Sequence, residues 1–142
     1  MDGFAGKTIC AGASTTYLDW LNGKKLDFGT LSPTTSPPTG IKTVSLKTDQ
    51  LCPQTWKSNR NDFQGWLSSS TTVDAAIAGG MPVVKVGDPV YFEPLAVAID
   101  KSGPKDSDFL VKVTQIINDM HSDGTLTALS QKWFKAELTK GP

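Results

Sequence analysis

The sequence predicts a three-layer α/β/α domain on a mostly parallel sheet, followed by amphipathic helices. Three observations carry this. Short apolar runs alternate with helical patterns from Lys7 to Val86 in the order β-α-β-α-β-α-β. Clusters of Gly, Ser and Thr fall between the runs, where turns and helix caps belong. A single apolar stripe at helical spacing then occupies the region near the C-terminus.

Lys7 to Ala11 reads as a short buried strand, with Gly12-Ala13-Ser14 as its turn. Ser14 or Thr15 caps a helix through Tyr17, Leu18, Trp20 and Leu21, which Gly23 ends. Residues 27–40 are rich in Ser, Thr, Pro and Gly and read as an exposed loop. Lys42 to Leu46 is a second strand, and Thr48 or Asp49 starts a helix carrying Leu51, Trp56 and Lys57.

Phe63 to Leu67 is the third strand. It enters the Ser68-Ser69-Ser70-Thr71-Thr72 tract, where Thr71 or Thr72 caps a helix over Val73 to Ala78, closed by Gly79-Gly80. Met81 to Val86 is the fourth strand, and right-handed crossovers cover the sheet on both faces. After Gly87-Asp88-Pro89, Leu95 to Ile99 reads as one more strand. Phe109, Leu110, Val113, Ile116, Ile117 and Met120 form one helical stripe, which His121-Ser122-Asp123-Gly124 stops; a last helix buries Leu126, Leu129, Trp133 and Phe134.

Composition excludes several functions. Fourteen basic and fourteen acidic residues cancel without any block of like charge, so neither a nucleic acid nor an anionic membrane is an expected partner. The 38% hydrophobic content and four Trp suit a folded globule. No run approaches the roughly 20 apolar residues of a membrane helix. Met1 to Gly6 lacks the charged and apolar regions of a signal peptide. Cys10 and Cys52 permit a single intramolecular pair; a disulfide and two buried thiols both remain open. One histidine and two cysteines do not make a structural zinc site, and no cofactor motif is present, so no cofactor is expected.

Gly6-Lys7-Thr8-Ile9, followed by Ser14-Thr15-Thr16-Tyr17-Leu18-Asp19-Trp20-Leu21, resembles the opening strand and helix of a particular lobe. That lobe is the second of the polar amino-acid solute-binding proteins that feed ABC importers (periplasmic binding protein type II, family 3). Gly79-Gly80, Tyr91-Phe92-Glu93-Pro94, Asp123-Gly124-Thr125 and Lys132-Trp133-Phe134 continue the pattern in order, over nearly the whole chain except residues 23–40. The resemblance implies a periplasmic-binding-protein-like lobe over residues 1–86, a returning hinge linker over 87–94, and a strand and helices of the first lobe over 95–142. Most of the first lobe is then absent, with the Arg that typically clamps the ligand carboxylate.

Ligands of open parallel sheets bind beyond the carboxyl ends of the strands. Two such ends here carry hydroxyls, Ser14-Thr15-Thr16 and Ser68-Ser69-Ser70. Read alone, both are helix caps; the resemblance makes Ser14 to Thr16 a ligand-carboxylate site and Ser68 to Ser70 an orienting one. It also places an ammonium-binding Asp where this chain has Ser69. Glu93 is then a candidate contact for a cationic ligand group, with a hinge ion pair as the ordinary alternative. His121 reads as a helix C-terminal residue rather than a catalytic one.

The resemblance implies a non-catalytic, extracytoplasmic receptor for a polar amino acid or similar small carboxylate. Its partners are the solute and, in the full-length context, an ABC permease. An enzyme of the same fold, such as a dehydratase, and a ligand-sensing receptor module are the alternatives. The first needs an acid–base pair at the cleft, the second a flanking membrane or signalling segment. The apolar stripe of the C-terminal helices further predicts self-association.

Overall fold

The computed structural model describes residues 2–103 and 107–141. The chain folds as two compact units, Met1–Glu93 and Pro94–Pro142.

In the first unit, β1 (Thr8–Gly12) lies between β2 (Lys42–Leu46) and β3 (Gly65–Trp66) in a parallel sheet of order β2-β1-β3. Register pairs Cys10 with Val44 on one side and with Trp66 on the other. The strand order reverses direction after β2. A right-handed crossover from β1 to β2 and another from β2 to β3 therefore put their helices on opposite faces.

The core follows that rule. Ile9 and Ala11 pack with Trp20 and Leu21 of α1 (Thr16–Leu21), whereas Cys10, pointing the other way, packs with Cys52 of α2 (Leu51–Lys57) and Phe63. The result is the expected α/β/α layering. Burying a side chain such as Trp20 or Leu21 contributes about 2–3 kcal/mol. Cys10 and Cys52, both fully buried, form a disulfide that ties β1 to α2.

Caps set the helix starts. Thr15 Oγ1 accepts from Leu18 N at 3.2 Å and donates to Gly12 O at 2.8 Å. The preceding Ser14 adopts a left-handed φ of 57°, which costs a non-glycine residue about 1 kcal/mol or more. α3 (Ser70–Ala78) begins three residues earlier than the sequence suggested and is capped by Ser69, whose Oγ accepts from Thr72 N at 3.3 Å. Thr71 and Thr72 lie inside its first turn. α2 begins at Leu51 rather than at Thr48 or Asp49. Its N-cap, Gln50, makes no side-chain cap bond, which leaves the Asp49 side chain available for another contact.

The loop over 27–40 is pinned to the body of the unit. Trp20 Nε1 donates to Thr35 O at 3.1 Å, and Thr35 Oγ1 donates to Val90 O at 3.1 Å.

Two expected strands do not form. Over 81–86, Pro82 has no N–H to donate and Val83 N turns back to Met81 O at 2.8 Å, so the segment offers no ladder edge. Val84 is 80% exposed. Residues 95–99 are also without strand pairing, with Leu95 and Val97 exposed. Strand β3 is reduced to two residues, although Gln64 N to Thr8 O and Leu67 N to Cys10 O extend its hydrogen bonding at both ends.

In the second unit, α4 (Ser107–Ser122) packs on α5 (Thr125–Phe134). Gly124, at φ 81°, makes the turn, and Asp123 Oδ1 accepts from Thr125 N at 2.8 Å. Ser130 is the buried residue of α5. Its Oγ donates to Ala136 O at 2.6 Å and accepts from Leu138 N at 3.0 Å, folding the tail back on the helix. The sequence assigned burial in α5 to Leu126, Leu129, Trp133 and Phe134; Leu126 is partly buried, and the other three are exposed, Trp133 by 69%. Leu110 and Ile116 of the α4 stripe are exposed as well. Among the described residues no helix is long and apolar enough to cross a membrane.

Candidate ligand-binding site

All three parallel strands end at the same edge of the first unit, and the segments beyond their carboxyl ends meet there. Gly12 leads to Ser14-Thr15-Thr16, Leu46 to Asp49, and Trp66 to Ser68-Ser69-Ser70. Residues 90–93 return to the same edge, because Tyr91 and Glu93 bond the start of α1.

Hydrogen bonds define the centre. Thr16 Oγ1 donates to Glu93 Oε1 at 2.9 Å, and the Tyr17 hydroxyl donates to Glu93 Oε2 at 3.4 Å. The Tyr91 hydroxyl donates to Thr16 Oγ1 at 3.2 Å. On the β2 side, Ser68 Oγ donates to Asp49 Oδ2 at 2.8 Å. Asp49 Oδ1 is buried against Gly12 and has no hydrogen-bond partner among the described residues. Gly12 is glycine for a steric reason: a Cβ there would collide with that carboxyl group.

The aromatic rings form one wall. Tyr91 lies 6.3 Å from Tyr17 in a stacked arrangement, 6.2 Å from Trp20 and 6.1 Å from Phe28. Burial and the Glu93 and Asp49 charges hold the Tyr17 hydroxyl above its usual range, against a hydrogen bond from Ser69 that lowers it. Tyr91 is pushed up to about 12, chiefly by burial, with the Thr16 hydrogen bond opposing and Glu93 adding to the rise. Two carboxylates thus act on one phenol that joins the β1 and β3 segments.

Of the residues singled out from the sequence, Thr16 and Glu93 are in direct contact, and Ser68 and Ser69 reach the same cluster through Asp49 and Tyr17. Thr15 serves as the α1 cap, while Ser14 and Ser70 are exposed. Sequence reasoning missed Asp49 and the Tyr17 hydroxyl. Their signals were present: Asp49 lies three residues beyond the end of the second strand, and Tyr17 directly follows the candidate Thr pair. Among the described residues, no three His, Cys, Asp or Glu are grouped to hold a metal ion.

No family model matches the chain. No solved structure matches it at a significant level. Curated relatives do. The chain is 27% identical over 141 residues to a probable amino-acid-binding protein, YxeM, of Bacillus subtilis, covering 98% of this chain and 48% of the relative. It is 27% identical over 143 residues to the L-cystine-binding protein TcyJ of Escherichia coli, covering 98% of this chain and 46% of the relative. The resemblance to amino-acid solute-binding proteins therefore runs along almost the whole chain, which spans about half the length of the curated relatives it matches.

Proposed function

We propose that the chain is the C-terminal portion of an extracytoplasmic solute-binding protein that takes a polar amino acid, or a similar small carboxylate, for ABC import. The observation that carries this reading is the convergence of Thr16, Ser68, Ser69 and Glu93 at the carboxyl edge of the sheet, lined by Tyr17 and Tyr91. That is where ligands of open α/β sheets bind. The printed names of the relatives, an amino-acid-binding protein and a cystine-binding protein, agree with binding without catalysis. The Cys10–Cys52 disulfide supports an oxidising compartment.

In this proposal the solute lies between this lobe and a second one, with an ABC permease as the partner of the complete receptor. The C-terminal helices meet a second copy of the chain in its absence. A single lobe leaves half the ligand in water, so the chain alone binds weakly, in the range of about 1 mM. The test is a titration of the isotopically labelled chain with polar amino acids, followed through its amide spectrum. Saturable shifts at residues 14–16 and 68–70 are expected. A spectrum in which these amides respond to none of the solutes overturns the proposal.

A further inference from the structure

We infer that residues 26–35 form a strap that holds Val90 and Tyr91 in place, with Phe28 and Thr35 as positioning residues for the Glu93 side of the site. The consequence for solute affinity rests on the solute-binding proposal above; the strap itself does not.

The returning segment has little else to fix it. Residues 90–93 belong to no strand and, among the described residues, make no backbone–backbone hydrogen bond. A segment without such pairing belongs to the easily opened part of a fold. Yet Glu93 meets Thr16 and Tyr17, and Tyr91 meets Thr16. Part of the hold comes from α1 through these side chains. The rest comes from the loop. Thr35 Oγ1 donates to Val90 O at 3.1 Å, and the Phe28 ring lies 6.1 Å from the Tyr91 ring in a tilted arrangement. An aromatic pair of this geometry contributes beyond the area it buries.

The core of the unit keeps the strap down. Thr35 is exposed, so water competes for its hydroxyl bond, and that bond alone does not hold a loop. Its carbonyl, however, accepts from Nε1 of the buried Trp20 at 3.1 Å. Lifting residue 35 takes the acceptor away from that indole N–H. It also disturbs Leu26, which packs on the same core cluster as Trp20 and Tyr91. Thr35 therefore joins a core side chain of α1, through its carbonyl, to the returning segment, through its hydroxyl. Residues 23–40 lie outside the family pattern, so the strap is not among the features that the resemblance brings.

The test compares the wild-type chain with Thr35→Val, Thr35→Ser, Phe28→Ala and Thr34→Val. Hydrogen exchange of the Trp20 indole follows the strap, and the pH midpoint of tyrosinate absorbance follows Tyr91. Thr35→Val and Phe28→Ala should each speed indole exchange about 2- to 10-fold, the equivalent of one net hydrogen bond. Both should lower the tyrosinate midpoint, Phe28→Ala by more, because burial is the chief cause that pushes Tyr91 up to about 12. Thr35→Ser keeps the hydroxyl and should behave as wild type. So should Thr34→Val, since Thr34 is exposed and makes no hydrogen bond among the described residues. Any amino acid that shifts the amides of residues 14–16 in the wild-type chain should bind Phe28→Ala and Thr35→Val about 2- to 10-fold more weakly.

Unchanged indole exchange and tyrosinate midpoint in both Thr35→Val and Phe28→Ala would overturn the strap. Equal changes in Thr34→Val, or a Thr35→Ser chain that behaves like Thr35→Val, would overturn the role of the Thr35 hydroxyl. Solute affinity unmoved in both strap variants would show that the strap serves the fold and not the site. A wild-type chain silent to every amino acid, with the indole and tyrosinate changes as expected, would overturn the solute-binding proposal and leave the strap standing.

Discussion

The Thr16 hydroxyl donates to the Glu93 carboxylate at 2.9 Å, joining residues 77 positions apart in the chain. Tyr17 donates to the other oxygen of the same carboxylate, and Tyr91 donates to Thr16, so the start of α1 and the returning segment share one network. Glu93→Ala removes both acceptors at once. Hydrogen bonds to a charged group are worth more than neutral ones, but this one is half-buried and its Tyr17 arm is long. The expected loss is about 1–2 kcal/mol, read as a lower urea midpoint at unchanged slope. Coincident unfolding curves would mean that water replaces the contact without cost.

Both tyrosines of the chain sit in this network, so tyrosinate absorbance reports the site with no other contributor. Burial raises Tyr17 and Tyr91, the latter to about 12. The folded-state value lies above the ordinary 10 of the unfolded chain, so the unfolded chain releases its protons first as pH rises. Stability from these groups is complete below pH 10 and falls as pH climbs towards about 12. The absorbance midpoint of the native chain should exceed that in denaturant. Glu93→Gln should lower it, since the Glu93 charge repels both phenolates. A native midpoint at the ordinary value would show the rings open to water.

What the sequence disclosed, and what it did not, divides along one physical line. The first two strands, α1 and the face-to-face layering were legible because alternation and caps are local properties of Lys7 to Leu46. The strands expected at 81–86 and 95–99 were not, because a strand exists only where a neighbouring edge accepts it, and an apolar run does not reveal its partner. The site shows the same division. Thr16 and Ser68 were visible as hydroxyl residues beyond strand ends, and Glu93 as a carboxylate in the returning linker. Asp49 resembled a helix cap until its side chain was found on Ser68.

That contact makes Gly12 sensitive to substitution. A methyl group added at Gly12 meets the Asp49 carboxyl group and Asp49 N at once, and neither belongs to a long side chain that can swing away. Gly12→Ala should cost about 1–3 kcal/mol by overpacking. It should also break the Asp49–Ser68 hydrogen bond, seen as amide shifts at residues 49 and 68. Retained stability with unmoved amides would contradict the tight approach.

The second unit displays Leu110, Ile116 and Trp133 to solvent, with Trp133 69% exposed. Apolar surface of this kind tends to be covered by association. The mass found by light scattering should rise with protein concentration, and Ile116→Glu should suppress the rise. A concentration-independent monomeric mass would contradict self-association through these helices.

The disulfide makes the last prediction. It joins Cys10 in the central strand to Cys52 in α2 and closes a loop of 42 residues, and both sulfurs lie in the core beneath Phe63 and Trp56. In the chain-entropy picture, a loop of this length stabilises the fold by about 4 kcal/mol, a large share of the stability of a small domain. Access matters as much as energy: a reductant reaches the bond only when the first unit opens. Dithiothreitol should therefore reduce it slowly in native buffer and rapidly in urea. Replacing both cysteines by alanine should lower the unfolding midpoint sharply. Rapid reduction in native buffer with the fold intact would show that β1 and α2 are held together by apolar packing alone.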